Sequence, residues 1–229
     1  MGPRLAVLDM VGTTVEAGRE VPDAFREAFR RVGVSLTDEA VSEVRGRSKT
    51  DAIAALVSSH LPDLRDPAEV SRKVYADFRS ILQTLYETSA RPIPGAASAI
   101  ADLRQLGLHV VLTTGLDRDT VGRIVHGLGW ESLGLAGIVT GDDVLRGRPA
   151  PDLIHAAMEL VSLDDPGSVV VVGDTISDLQ AAACAGAGWA VGVLTGAHTG
   201  EQLRTVSHSV ILESMALVPS WLQRVCAWH

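Results

Sequence analysis

The chain predicts an α/β fold, a doubly wound parallel sheet with an inserted helical block, and three observations carry that reading. Short apolar runs alternate with amphipathic stretches along most of the sequence, the pattern of repeated β-α units and a parallel sheet. The runs are apolar at nearly every position, as strands covered on both faces require. Between the first and second runs, however, Val15 to Leu108 hold several helical patterns and no convincing strand. A single crossover does not need that length.

Taken in order, the first strand is expected over Arg4–Asp9, closing on a carboxylate and breaking at once into Gly12-Thr13-Thr14. Open α/β sheets hold their ligands at such strand ends. The stretches Ala24–Val32, Thr50–Ser59 and Ala68–Tyr86 show 3.6-residue periodicity, which predicts helices. Phe25 and Phe29, one turn apart, are expected to pack inside that block. Glu16–Arg91 is read as a separate helical domain (residues 16–91), leaving 1–15 and 92–229 as the core. Its return, Arg91-Pro92-Ile93-Pro94-Gly95, is a stiff linker suited to a hinge. Helices over Gly95–Leu106 and Thr120–Leu128 then alternate with strands over His109–Thr114, Gly137–Val139, Val169–Gly173, Ala190–Val193 and Ser209–Leu212. Trp130, Trp189, Trp221 and Trp228 are expected to serve packing, and His198 a structural role in a loop. There are no repeats and no low-complexity tracts.

Composition narrows the function classes. At 229 residues, 46% hydrophobic and 21% charged, the chain suits one large domain or a core with a smaller insert, and disorder is not expected. A net charge of −8 with no basic cluster argues against nucleic acid as a partner. No apolar run approaches the ~20 residues of a membrane span. No signal-peptide pattern precedes the first strand, so a cytoplasmic location is the expectation. Cys184 and Cys226 are too few and too distant for a zinc site or a disulfide framework. Of 20 basic side chains only Lys49 and Lys73 are lysines. A lysine kept in a motif is then a candidate for amine chemistry, which arginine cannot supply, although chance explains it too.

Four strand-end motifs concentrate the candidate chemistry. Asp9 can attack phosphorus or carbon or bind a metal; a lone Asp after a strand serves equally well as a helix cap. Val110-Val111-Leu112-Thr113-Thr114-Gly115 ends a strand in hydroxyls and a glycine, which suits an anion or a plain threonine cap. Gly147-Arg148-Pro149-Ala150-Pro151-Asp152 frames one arginine between prolines before a helix, where Arg148 can offer bidentate donors to a phosphoryl group or hold the nucleophilic carboxylate. In Val172-Gly173-Asp174-Thr175-Ile176-Ser177-Asp178 two carboxylates stand one helical turn apart. With Asp9 they would complete an oxygen cage suited to Mg²⁺; the plain alternative is a helix cap with a solvated Asp178. Gly12, Thr13, Gly115 and Arg47 join Thr114 and Arg148 as candidates to bind phosphate.

The ordered set of four resembles the haloacid dehalogenase superfamily over nearly the whole chain, including a helical cap after the first strand. That resemblance implies that Asp9 is the nucleophile of an aspartyl-phosphate. It implies that Asp9, Asp174 and the Val11 carbonyl bind Mg²⁺ with support from Asp178, and that Thr114 and Arg148 hold the phosphoryl oxygens. Most phosphatases of the superfamily carry a second acid where this chain has Val11; losing such an acid lowers rates by ~10²–10⁴. The run Gly46-Arg47-Ser48-Lys49-Thr50-Asp51 is similar to the segment that carries the Schiff-base lysine of phosphonoacetaldehyde hydrolases. Those enzymes also lack the second acid and carry arginine at the Arg148 position. The resemblance implies C–P cleavage of a small phosphono-aldehyde with Lys49 as imine-forming amine. At Ala52 the chain departs from those enzymes, which carry histidine there, and so looks closer to a phosphonatase-like subgroup. Alternatives kept open are a phosphomonoesterase in which Lys49 and Arg47 contact the far end of a small phosphorylated metabolite, a dehalogenase, and a binding or regulatory protein without turnover. A homodimer is left open.

Overall fold

The computed structural model describes residues 2–226, the side chains of 87 and 88 excepted; Trp228 lies outside the described residues. Six strands form one parallel sheet: β1 Leu5–Asp9, β2 His109–Thr113, β3 Gly137–Val139, β4 Val169–Gly173, β5 Trp189–Val193 and β6 Val210–Leu212. Their spatial order is β3-β2-β1-β4-β5-β6, so the winding direction reverses between β1 and β4. Side-chain alternation sorts the sheet into two faces. Leu5, Val7, Val111, Val169 and Val171 belong to one buried cluster; Ala6, Leu8, Val110, Leu112, Val170 and Val172 belong to the other. Burial on both faces is why these strands read as unbroken apolar runs.

Ten helices of α type surround the sheet in the described residues: α1 Glu20–Arg30, α2 Asp38–Glu43, α3 Lys49–His60, α4 Pro67–Ser89, α5 Ala96–Gln105, α6 Arg118–Leu128, α7 Asp152–Leu160, α8 Ile176–Ala185, α9 Gly200–Leu203 and α10 Val218–Cys226. The first four fall between β1 and α5. In α4, Val74, Phe78, Leu82 and Tyr86 recur every four residues and are all buried, forming a stripe against α1 and α3. Phe25 of α1 meets Phe78 with ring centroids 4.6 Å apart, and Phe29 is buried beside them. This apolar mass is continuous with the α5/α6 face of the sheet. Arg79 of α4 also reaches across to α6, pairing with Asp117 and Asp119 at 3.0 Å each and lying 5.9 Å from the Tyr75 ring centroid. Trp130 is buried, and Trp189 and Trp221 pack against the core. No described helix is long and apolar enough to cross a membrane.

Two helices differ from expectation at their starts, and α2, α9 and α10 were not expected from the sequence. Helix α1 begins at Glu20 and α6 at Arg118, because their first turns are polar. Asp117 caps α6 by accepting the Thr120 N–H at 3.1 Å. Helix α2 is one short amphipathic piece started by the Thr37 cap, too brief to register as a period.

Candidate active site

Strand register assembles the site. Asp9 is aligned with Thr113, and Leu8 with Val172, so the strand ends deliver Asp9, Thr114 and Asp174 to neighbouring points at the reversal of the sheet. That is where a doubly wound sheet opens its crevice. A cavity of about 180 Å³ occupies it, lined by Asp9, Lys49, Thr114, Arg148, Asp174 and Asp178 among others. Val11, Arg47 and Gly115 line the same cavity, as does Arg45, which the sequence did not single out.

Three carboxylates and one guanidinium form its floor. Asp9, Asp174 and Asp178 are 6%, 1% and 2% exposed and Arg148 8%. Arg148 Nη1 donates to Asp9 Oδ1 at 2.5 Å and also to Asp178 Oδ1. Asp178 does two jobs. Its other oxygen accepts the Thr175 N–H at 3.0 Å in a capping box that starts α8. The same carboxylate thus caps α8 and faces the cavity. Asp174 accepts from the Thr13 hydroxyl at 3.2 Å and the Ala197 N–H at 2.6 Å.

Burial pushes the Asp9 carboxyl up to about 6, against the pull of Arg148 and with the help of Asp178. Burial, then the charges of Asp9 and Asp178, raise Asp174 well above the usual carboxylate range. Burial opposes the charge on Arg148, but Asp178 and Asp9 outweigh it and raise its pKa. Fully ionised, the three acids at the floor outnumber its one guanidinium by two, an excess that the Lys49 ammonium above them offsets only in part. Ligand atoms of the three acids lie within 4.8 Å of one another. Hard carboxylate oxygens in negative excess fit a divalent cation, and the cluster could hold one.

Lys49 is the first residue of α3, capped by the Ser48 hydroxyl, which accepts the Asp51 N–H at 3.1 Å. Half-buried in the cavity, its amine is lowered to about 8, first by desolvation and then by Arg148, with Asp9, Asp174 and Asp178 opposing. The turn before it sits directly on core backbone. A side chain at Gly115 would meet the Arg47 carbonyl at 3.1 Å, and one at Gly147 the Ser48 nitrogen at 2.9 Å. At Gly147 any side chain would clash, and at Gly115 it would be tight.

Not every candidate meets the cavity as expected. The Gly12 N–H is given to the Val15 carbonyl at 2.7 Å and the Thr13 hydroxyl to Asp174. The first bond lies within the β1 turn, the second ties that turn to the end of β4, and neither residue is among those lining the cavity. Thr114 Oγ1 accepts the Leu116 N–H at 3.2 Å while lining the cavity. Arg47 is on its exposed side. His198 accepts the Ile176 N–H at 2.8 Å at the start of α8, a structural part; burial lowers its pKa.

Comparison with known proteins places this geometry. A model of haloacid dehalogenase-like hydrolases matches residues 3–186. A phosphonoacetaldehyde hydrolase of Bacillus cereus is 34% identical over 204 residues, covering 83% of this chain and 75% of the relative. Among solved structures, a hydrolase from Pseudomonas syringae superposes with a TM-score of 0.86 at 22% identity, over 97% of this chain and 99% of the other. A phosphonoacetaldehyde hydrolase-like protein from Oleispira antarctica does so at 0.82 and 22%, over 100% and 95%. At that identity the two structures speak for the fold alone. A buried carboxylate cluster at the switch point of the sheet, a family match over most of the chain and a curated relative above 30% identity converge: the chain belongs to the haloacid dehalogenase-like hydrolases, on the branch of the phosphonoacetaldehyde hydrolases.

Proposed function

We propose that this hydrolase transfers a phosphoryl group from a small phosphono-aldehyde to Asp9 and then to water, cleaving a C–P bond with Lys49 as the imine-forming amine and the α1–α4 segment as a cap. The observation that carries the reading is one of pairing. An amine lowered to about 8 shares a cavity with a buried carboxylate, and Val11 lines that cavity where an acid would be. A site able to form an imine does not need that acid, since no alkoxide leaves.

The steps follow from the residues. Neutral Lys49 adds to the aldehyde and water departs, giving an iminium. Asp9 attacks phosphorus, the C–P bond breaks, and its electron pair moves into the iminium as an enamine. Protonation at carbon and hydrolysis release acetaldehyde; water then takes the phosphoryl group from Asp9 as phosphate. Arg148 and Thr114 hold phosphoryl oxygens. Magnesium, held by Asp9, Asp174 and the Val11 carbonyl with Asp178 in support, would neutralise phosphoryl charge when bound.

Phosphate release from phosphonoacetaldehyde and from an aryl phosphate, with Mg²⁺, tests the proposal in wild type and Lys49→Arg. The expected outcome is loss of the first activity and survival of the second. Equal turnover of phosphonoacetaldehyde by the variant would refute the imine, and exclusive turnover of phosphate esters would favour a phosphomonoesterase.

A further inference from the structure

The cavity is polar on one side and apolar on the other. The polar side is the set already described: Asp9, Asp174, Asp178, Arg148 and Thr114, with Lys49 at the start of α3. Helices α1 and α2 pack on each other and supply Val21, Pro22, Phe25, Val41 and Val44 to the same cavity. Phe25, Val41 and Val44 are buried, and Val21 and Pro22 half-buried. None of these side chains carries a hydrogen-bonding group, and the neighbouring Ala17 and Gly18 add none. The wall offers contact area without polar recognition, as small-molecule sites do where they take up carbon.

Phosphonoacetaldehyde leaves that wall without a partner. Its phosphonate and carbonyl engage the polar groups, and its only other carbon is the methylene between them. With phosphorus at Asp9 and the carbonyl carbon at Lys49, a molecule that continues away from phosphorus continues from the carbonyl carbon. Apolar surface left facing water is unfavourable, and an apolar substituent at that carbon would cover it. Arg45 and Arg47 line the cavity as well, but both are exposed, and a solvated cation gains little from an ion pair.

We propose that the substrates of this site extend to 2-oxoalkylphosphonates, ketones with a short apolar chain on the carbonyl carbon, and that Val21, Pro22 and Val44 select the chain. The proposal rests on the Asp9 and Lys49 reading above. Lys49 adds to the ketone and water departs, giving an iminium. Asp9 attacks phosphorus, the C–P bond breaks, and its electron pair moves into the iminium as an enamine. Protonation from solvent at that carbon, then hydrolysis, releases a methyl ketone and frees Lys49. Water takes the phosphoryl group from Asp9 as phosphate. One ketophosphonate and one water thus give one methyl ketone and one phosphate.

Calorimetry with alkylphosphonates from methyl to butyl, in the presence of Mg²⁺, reads the wall without carbonyl chemistry. Dissociation constants should fall about fourfold per methylene. Val21→Thr and Val44→Thr, each checked by a thermal melt, should flatten the series. In phosphate-release assays, KM for 2-oxoalkylphosphonates should fall with chain length in the same way. A flat series in the wild type would overturn the apolar wall, as would tighter binding of a carboxylate-tipped chain than of an alkyl chain of equal length. A graded binding series with turnover of phosphonoacetaldehyde and of no ketone would overturn the proposal and leave its parent standing. Release of phosphate from neither the aldehyde nor the ketones would overturn both.

Discussion

Titration of Lys49 gives the sharpest test of the chemistry, because imine formation requires the unprotonated amine. With its pKa near 8 rather than 10.5, roughly one amine in ten is free at pH 7. For a solvated lysine about three in ten thousand would be, so burial makes Lys49 roughly 300-fold more available. Lowering the pKa leaves the group charged below 8 and neutral above it. Capture of phosphonoacetaldehyde should therefore rise about tenfold per pH unit below 8 and level off above. The assay is trapping with cyanoborohydride from pH 6 to 10, followed by peptide mass mapping. Lys73, exposed on α4, is an internal comparison within the same sample. A rate at Lys49 that climbs without a plateau to pH 10 would show a solvated amine. Equal labelling of the two lysines would show that the cavity confers nothing. Either result refutes the reasoning.

Three further outcomes follow from the same geometry. Asp9→Asn should reduce phosphate release to the uncatalysed level with little loss in a thermal melt, because the neutral isostere relieves a carboxylate that burial already disfavours; residual turnover would remove Asp9 from the mechanism. Mg²⁺ at a hundred times its dissociation constant should stabilise the fold by about 2.7 kcal/mol, read as a rise in Tm that Asp174→Asn abolishes; an identical rise in the variant would place the ion elsewhere. Arg79→Ala leaves buried Asp117 without its cation, and since Arg79 is about one-third exposed the expected loss in urea denaturation is about 1–2 kcal/mol.

The strands were legible almost to the residue, because runs buried on both faces end abruptly at polar groups. Even Gly137–Val139, three residues long, carries the expected bounds. Arg4 falls outside β1 although its carbonyl accepts the His109 N–H at 2.9 Å, a difference of assignment at a strand end. Helix starts were less legible wherever the first turn is polar, as at Glu20 and Arg118. In the site, Asp9, Thr114 and Asp174 could be read because each closes a strand. Gly12 and Thr13 look like phosphate donors in the sequence, whereas in the structure the Gly12 N–H bonds to Val15 within the turn and the Thr13 hydroxyl to Asp174, a long-range pairing that no local pattern encodes. Arg45 gave no signal. It reaches the cavity through the turn after α2, which no local pattern encodes.

The contact of Arg47 and Ser48 with the backbone at Gly115 and Gly147 has a consequence for selectivity against unwanted aldehydes. Lys49 is covalently next to that seat, so lifting the turn would rehydrate the amine and return its proton. On the proposed imine chemistry, a seated turn would leave about one amine in ten free at pH 7, whereas a lifted turn would leave almost only the ammonium ion, inert towards carbonyls and spared from stray adducts.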